Sequence, residues 1–173
     1  MTDNKQFCAP AMLRAAIDQL WDDSTRNRAL ISADMNGSVN SAFEHLYFDL
    51  RLPRLSGKTT AILDEIGPGD MVFCRDAQST KFFAERINWG YDANRRVRGS
   101  MDGTPVAIYA AHEAEYAIRE VKNFFSYFTH TIFFDEVPAA REIAGQMTSA
   151  LYSQNFKHLV EQGYHPRFIS LRS

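Results

Sequence analysis

Gly57-Lys58-Thr59 carries the side chains and the backbone freedom that a bound polyphosphate requires. A triphosphate needs backbone N–H donors, a cation on its β and γ oxygens, and a hydroxyl to help hold Mg2+. Gly57 would let the backbone approach the phosphates with no side chain in between, Lys58 would supply the cation, and Thr59 the hydroxyl. Ser56 and Thr60 flank them as further loop contacts to the nucleotide. The glycine that usually opens such a loop, five positions before Gly57, is replaced by Leu52. On its own the tripeptide therefore fits an ordinary loop equally well.

A second group of residues changes the balance. Thr131-Ile132-Phe133-Phe134 is an apolar run that ends on two adjacent carboxylates, Asp135 and Glu136. At the carboxyl end of a strand in an open α/β sheet, such a pair sits where ligands bind. Asp135 could hold Mg2+ through a water, while Glu136 orients or deprotonates the water that attacks a γ-phosphate. Taken alone, Asp-Glu could simply open the next helix, where negative charge suits the dipole. Both motifs in one chain, in this order, favour a site for ATP and Mg2+.

The elements that must hold these residues follow from periodicity. Residues 10 to 22 read as a helix, with Pro10 in its first turn and Met12, Ala16 and Leu20 along one face. Residues 23 to 40 are polar and contain the turn signal Asn36-Gly37, and residues 41 to 46 form a short helix. Residues 47 to 52 alternate apolar and polar as a strand does, and Pro53 ends it. A helix follows the loop and stops at Gly67-Pro68-Gly69. Strands are predicted at 71–74, 105–110, 130–134 and 167–171, with helices over 76–88, 113–128 and 138–162, and turns from 89 to 103. Strands alternating with helices indicate a mostly parallel sheet with right-handed crossovers and helices on both faces. The expected fold is α/β: a three-layer P-loop NTPase fold around a five-stranded sheet. A helical N-terminal extension covers 1–46 and the ATPase core 47–173, in one compact domain overall.

Bulk properties set limits. A chain of 173 residues suits one sizeable core, and 45% hydrophobic with 23% charged residues argues against disorder. The net charge of −2 leaves nucleic-acid contact to a local patch, because no field of the whole molecule drives it. Cys8 and Cys74 are too few for a disulfide framework or a zinc site, which suits a reduced intracellular protein. The N-terminus lacks the features of a signal peptide, and no run approaches the roughly 18 apolar residues of a membrane span. A cytoplasmic protein with no membrane partner is expected.

The run Arg54-Leu55-Ser56-Gly57-Lys58-Thr59-Thr60 resembles the deviant Walker A motif of the viral large-terminase ATPases, which package DNA into capsids. That group tolerates loss of the first glycine and carries an arginine three residues before the second, here Arg54. The resemblance implies that Arg54 acts in cis on the γ-phosphate, a role suited to guanidinium geometry. Asp102 to Ala110 looks like the turn and strand that precede Walker B in terminases and related helicases, and Thr131 to Glu136 is similar to Walker B itself. Phe168 to Ser173 stands where these ATPases carry a Ser/Thr coupling motif, so Ser170 or Ser173 would sense the γ-phosphate. Implied partners are the nucleotide, double-stranded DNA, other viral packaging or replication proteins and further copies in a homo-oligomer, in the host cytoplasm.

Two departures qualify the likeness. Large terminases continue into a nuclease domain, and this sequence stops first at Ser173, as expected for a separated motor or a small free-standing relative. Asp49 and Arg51 also fall on a strand that such folds usually bury on both faces. Two other readings stay open: a small-molecule kinase, and a degenerate regulatory or scaffolding module whose phosphate site is blocked by Leu52 and Pro53. Among the remaining candidates, Arg95, Arg96 and Arg98 with Lys81 and Arg86 read as a solvated surface before a phosphate-binding patch. Phe124, Phe125, Tyr127, Phe128 and Tyr47 read as core before base-stacking platforms, and Arg141 as a surface arginine before a trans-acting finger. The five histidines show no metal-ligand spacing.

Overall fold

Alternation of apolar residues along the strands determines how the layers assemble. In the computed structural model, residues 9–36, 39–54, 56–67, 69–86, 90–91, 97–101, 104–123, 131–152 and 167–173 are described. Their order is α1 (Ala9–Trp21), α2 (Asp23–Asn36), α3 (Val39–Leu46), β1 (Tyr47–Arg51), α4 (Lys58–Glu65), β2 (Met71–Cys74) and α5 (Ala77–Arg86). There follow β3 (Gly90–Tyr91), β4 (Val97–Met101), β5 (Thr104–Ala110), α6 (Ala114–Asn123), β6 (Thr131–Asp135), α7 (Ala140–Tyr152) and β7 (Arg167–Arg172). The sheet order is β1-β7-β6-β2-β5-β4-β3, with the first five strands parallel and β4 and β3 added antiparallel.

Successive residues of each parallel strand point to opposite faces. Met71, Phe73, Tyr109, Ile132, Phe134 and Phe168 meet α2, α3, α6 and α7 on one face. Val72, Ile108, Phe133, Ile169 and Leu171 meet α1, α4 and α5 on the other. The result is a three-layer α/β fold, as expected, with the N-terminal helices divided between the two outer layers. Phe133 is fully buried, and truncating it to alanine would cost about 3–5 kcal/mol.

Asp70 fixes the amino rim. Its carboxylate accepts from the Gly67 and Thr131 amides, both at 2.8 Å, and its carbonyl accepts from the Ala107 amide at 3.3 Å. One residue thus ties the start of β2 to both of its neighbours. Burial pushes its carboxyl up to about 7 against the downward pull of those amides.

Two segments depart from expectation. Residues 23 to 36 form a helix where a polar, turn-rich stretch is predicted. Among its described side chains Thr25 and Ala29 are buried, with Leu30 and Ala33 partly buried in the cluster that holds Ala29, so the apolar stripe is too thin to read from sequence. Asp22 starts the helix by accepting from the Ser24 amide at 3.1 Å. Between 89 and 103, turns alone are expected, yet β3 and β4 extend the sheet to seven strands. Val-Arg-Gly-Ser-Met has no clean alternation, and β4 owes its place to pairing with β5, Val97 opposite Ile108 through Met101 opposite Thr104.

Asp49 and Arg51 find their explanation in the topology. β1 stands at one end of the strand order, so its polar residues need not be buried on both faces. Asp49 accepts a two-pronged contact from Arg172 on β7, with Nε at 2.9 and 3.0 Å from its two oxygens.

Candidate functional site

The parallel strands all finish at one rim. The registers set Arg51 beside Arg172, Asp135 beside Leu171 and Cys74 beside both Asp135 and Ala110. From β1 the chain runs to α4 on one face, whereas from β6 it runs to α7 on the other. Connections that leave in opposite directions open a crevice at the carboxyl ends of the strands, the usual ligand position in such sheets.

The loop between β1 and α4 enters this crevice. The Leu52 amide donates to the Arg172 carbonyl at 2.9 Å, carrying the ladder one residue past β1. The Leu52 side chain turns into the core, only 2% exposed, with residues of α1 and α4 in the same cluster. It forms no part of the cavity wall. Gly57 caps α4 with φ at 80°, a left-handed conformation that favours glycine, and no side chain caps this helix end. The first-turn amides of α4 thus lack both a helical and a capping side-chain acceptor.

Lys58, only 7% exposed, is held by four oxygens. Its ammonium donates to the carbonyls of Leu52 at 3.3 Å and Pro53 at 3.1 Å, and to the Ser173 hydroxyl at 3.2 Å. It also pairs with the Glu136 carboxylate at 3.0 Å. Ser173 completes the triangle: its hydroxyl donates to Glu136 at 2.6 Å and its amide at 3.1 Å. Burial pushes the Glu136 carboxyl up, but the hydrogen bonds from Ser173 and Lys58 together outweigh it, and the group sits below its ordinary range. Glu136 also has φ at 55°, a strained value for a residue with a side chain, while its amide donates to the Leu171 carbonyl at 2.9 Å.

Beside this triangle, the Thr59 hydroxyl donates to Asp135 at 2.9 Å. Burial raises the Asp135 carboxyl above its ordinary value; the Thr59 hydrogen bond opposes this and the Glu136 charge adds to it. The other Asp135 oxygen is buried with no hydrogen-bond partner among the described residues. An unpartnered carboxylate oxygen next to a threonine hydroxyl is a hard donor set that suits Mg2+. Among the described residues no cluster of three or more His, Cys, Asp or Glu forms a metal cage. A divalent ion here would therefore rest on Thr59, Asp135 and oxygens of its ligand.

A cavity of about 530 Å³ is lined by Arg54, the run from Ser56 to Thr60, Arg75, Glu136 and Ser173. Its volume falls in the range of small-molecule sites. Asp135 lines a neighbouring cavity of about 390 Å³, which shares Thr59 and Arg75 with the first. The structure thus brings Arg54, Ser56, Gly57, Lys58, Thr59, Thr60 and Glu136 together, with Asp135 one contact away through Thr59. Ser170 is fully buried within β7, opposite Asp49 and Phe134, and the residue of that segment that reaches the cavity is Ser173. Arg75 is a cavity residue that sequence reasoning missed. Its signal was its place directly after the apolar run Met71 to Cys74, at the carboxyl end of a strand.

Other candidates lie elsewhere. Tyr47 begins β1, at the opposite end of the strand from the loop, and its ring packs 5.4 Å from that of Phe43. Arg141 is held by Glu44 at 2.5 and 2.6 Å and lies over the rings of Phe43 and Tyr47. Arg95, Arg96, Phe124, Phe125, Tyr127 and Phe128 lie outside the described residues, as do Cys8, His130, His158 and His165. No described helix is long and apolar enough to cross a membrane. Compared with known proteins, the chain matches no family model and no curated sequence significantly.

Proposed function

We propose that this chain is a Mg2+-dependent P-loop ATPase of the terminase and helicase kind, coupled to viral DNA packaging or another process on nucleic acid. The observation that carries the reading is the contact of the Lys58 ammonium with the Glu136 carboxylate, 3.0 Å apart, in a cavity beside the uncapped start of α4. A phosphate-binding cation and a candidate base thereby face the same space. The link to DNA and to packaging rests on the likeness of the two motifs to those of terminases.

In this mechanism the phosphates bind against the α4 amides, which supply aligned donors and the positive end of the helix dipole. Lys58 exchanges the Leu52 and Pro53 carbonyls for phosphate oxygens, and Arg54 adds a second cation from the loop. Mg2+, held by Thr59 and Asp135, would supply further neutralisation of phosphate charge. Glu136, released from Lys58 but still oriented by Ser173, accepts a proton from the attacking water. The water oxygen bonds to the γ-phosphorus as the bond to the β–γ bridging oxygen breaks, giving ADP and phosphate. Preorganised positive charge around the transferred group is the main source of acceleration.

One observation favours a kinase as the second reading: the cavity beside Asp135 and Thr59 has room for an acceptor hydroxyl. The degenerate-module reading requires Leu52 and Pro53 to block the phosphate site, whereas the Leu52 side chain is packed in the core and neither residue lines the cavity.

Phosphate release from ATP, measured with and without double-stranded DNA, tests the proposal. The wild-type chain should hydrolyse ATP and be stimulated by DNA, while Lys58→Ala and Glu136→Gln should be inactive. Wild-type turnover by both variants would remove this mechanism. Turnover that appears only with a small hydroxyl-bearing acceptor would identify a kinase.

A further inference from the structure

Arg75 directly follows β2, and its amide donates to the Asp135 carbonyl at 3.2 Å. That bond fixes where the side chain begins, on the acidic side of the crevice. Arg75 is also shared, with Thr59, by the two cavities. Among the described residues, the larger cavity is lined by the cationic Arg54, Lys58 and Arg75 against the carboxylate side chain of Glu136. This excess of positive charge suits a highly charged anion.

The engagements of these cations differ. Lys58 is buried among four oxygens. Arg141, farther along the chain, is fastened to Glu44 and covered by two rings. Among the described residues, the hydrogen-bond and ion-pair partner of Arg75 is its neighbour Asp76, reached through Nε at 3.1 Å. The two side chains are 64% and 44% exposed, and such pairs exchange at little cost. Asp76 does not depend on Arg75, because it also caps α5, accepting from the Ser79 amide at 2.8 Å and the Ser79 hydroxyl at 2.9 Å.

We infer that Arg75 is a ligand of the terminal phosphate: its guanidinium leaves Asp76 when a nucleoside triphosphate binds and takes the γ-phosphate oxygens. The inference rests on the phosphate-site reading of the cavity and adds to it the basis for selecting triphosphate over diphosphate. The γ-phosphate is the group that must face Glu136 and Asp135, since the attacking water lies there. Arg75 follows the strand next to β6 and stands on that side, whereas the α4 amides approach from the loop side, from which Lys58 reaches across to Glu136. A planar fork of donors matches phosphate oxygens better than a point charge does.

Calorimetric titration with Mg2+ and either ADP or a non-hydrolysable ATP analogue tests this in wild type, Arg75→Ala and Arg75→Lys. Arg75→Ala should weaken analogue binding roughly ten- to a hundredfold, the scale of a lost charge-assisted contact. ADP affinity should stay within about threefold of wild type. Arg75→Lys should fall between them, and the thermal midpoints of all three chains should agree within about 2 °C. A wild-type ratio of analogue to ADP affinity in Arg75→Ala would overturn the assignment of Arg75 alone. Failure of the wild-type chain to bind either nucleotide would overturn the phosphate site itself, and this inference with it.

Discussion

Replacing Gly57 by alanine should separate the stability of the loop from its proposed work. Gly57 has φ at 80°, and a Cβ built there meets no atom within 4 Å. The cost to the fold is therefore conformational and not steric. Holding an alanine in the left-handed region costs about 1–2 kcal/mol, and the smaller entropy of the unfolded alanine chain offsets about 0.4–1 kcal/mol of it. The net destabilisation is about 1 kcal/mol, which lowers the midpoint of a chain this long by about 2–4 °C. The same methyl occupies space at the cavity wall where, in the proposed site, phosphates would approach the α4 amides. Affinity for a Mg2+–ATP analogue should therefore fall by more than tenfold, well beyond the roughly fivefold that 1 kcal/mol would explain. Thermal denaturation and calorimetry on the same preparation give both numbers. A Gly57→Ala chain that loses the expected stability yet binds the analogue at wild-type affinity would refute the idea that this backbone cradles phosphate.

Further outcomes follow from other contacts. The Asp70 carboxyl has a folded value of about 7 against an ordinary 3.8, so the native state binds more protons between these limits. Its stabilising contribution is fully present below about pH 4 and is lost as pH rises through about 7; Asp70→Asn should flatten this part of the stability profile, seen in denaturant midpoints from pH 4 to 8. Thr59→Val removes the hydroxyl that donates to Asp135, and should raise the Mg2+ concentration needed for analogue binding, measured by titrating the metal. Arg141→Ala breaks an exposed pair with Glu44 and two ring contacts; it should cost about 1 kcal/mol or less and leave ATP turnover unchanged.

Strands buried on both faces were readable because continuous apolar runs of strand length leave few alternatives: Met71 to Cys74 matches β2 residue for residue. The pairing of Thr131 to Phe134 with a following acidic pair was equally legible, since an abrupt change from apolar to charged marks a strand's end at a rim. α2 was hidden because polar residues surround nearly all of it and one narrow contact stripe suffices to hold it. β4 was hidden because its position comes from a partner strand, which local alternation does not encode. At the candidate site, residue types indicated the loop and the acidic pair. They did not distinguish Ser170 from Ser173, which requires knowing where β7 ends. Nor did they single out Arg75, whose relevance depends on β2 lying next to β6. The left-handed Glu136 is likewise invisible in a sequence, as its conformation arises from tertiary contacts to Leu171 and Ser173.

Calorimetric titration of the wild-type chain and Lys58→Ala with a non-hydrolysable ATP analogue in Mg2+ decides whether the crevice above β1 and β6 is a phosphate site. Saturable one-to-one binding by wild type, lost in Lys58→Ala while that chain keeps its folded circular-dichroism spectrum and a cooperative thermal transition, is the expected result. No heat of binding from a folded wild-type chain, or equal affinity in both chains, would mean that the contact between Lys58 and Glu136 is merely an internal ion pair.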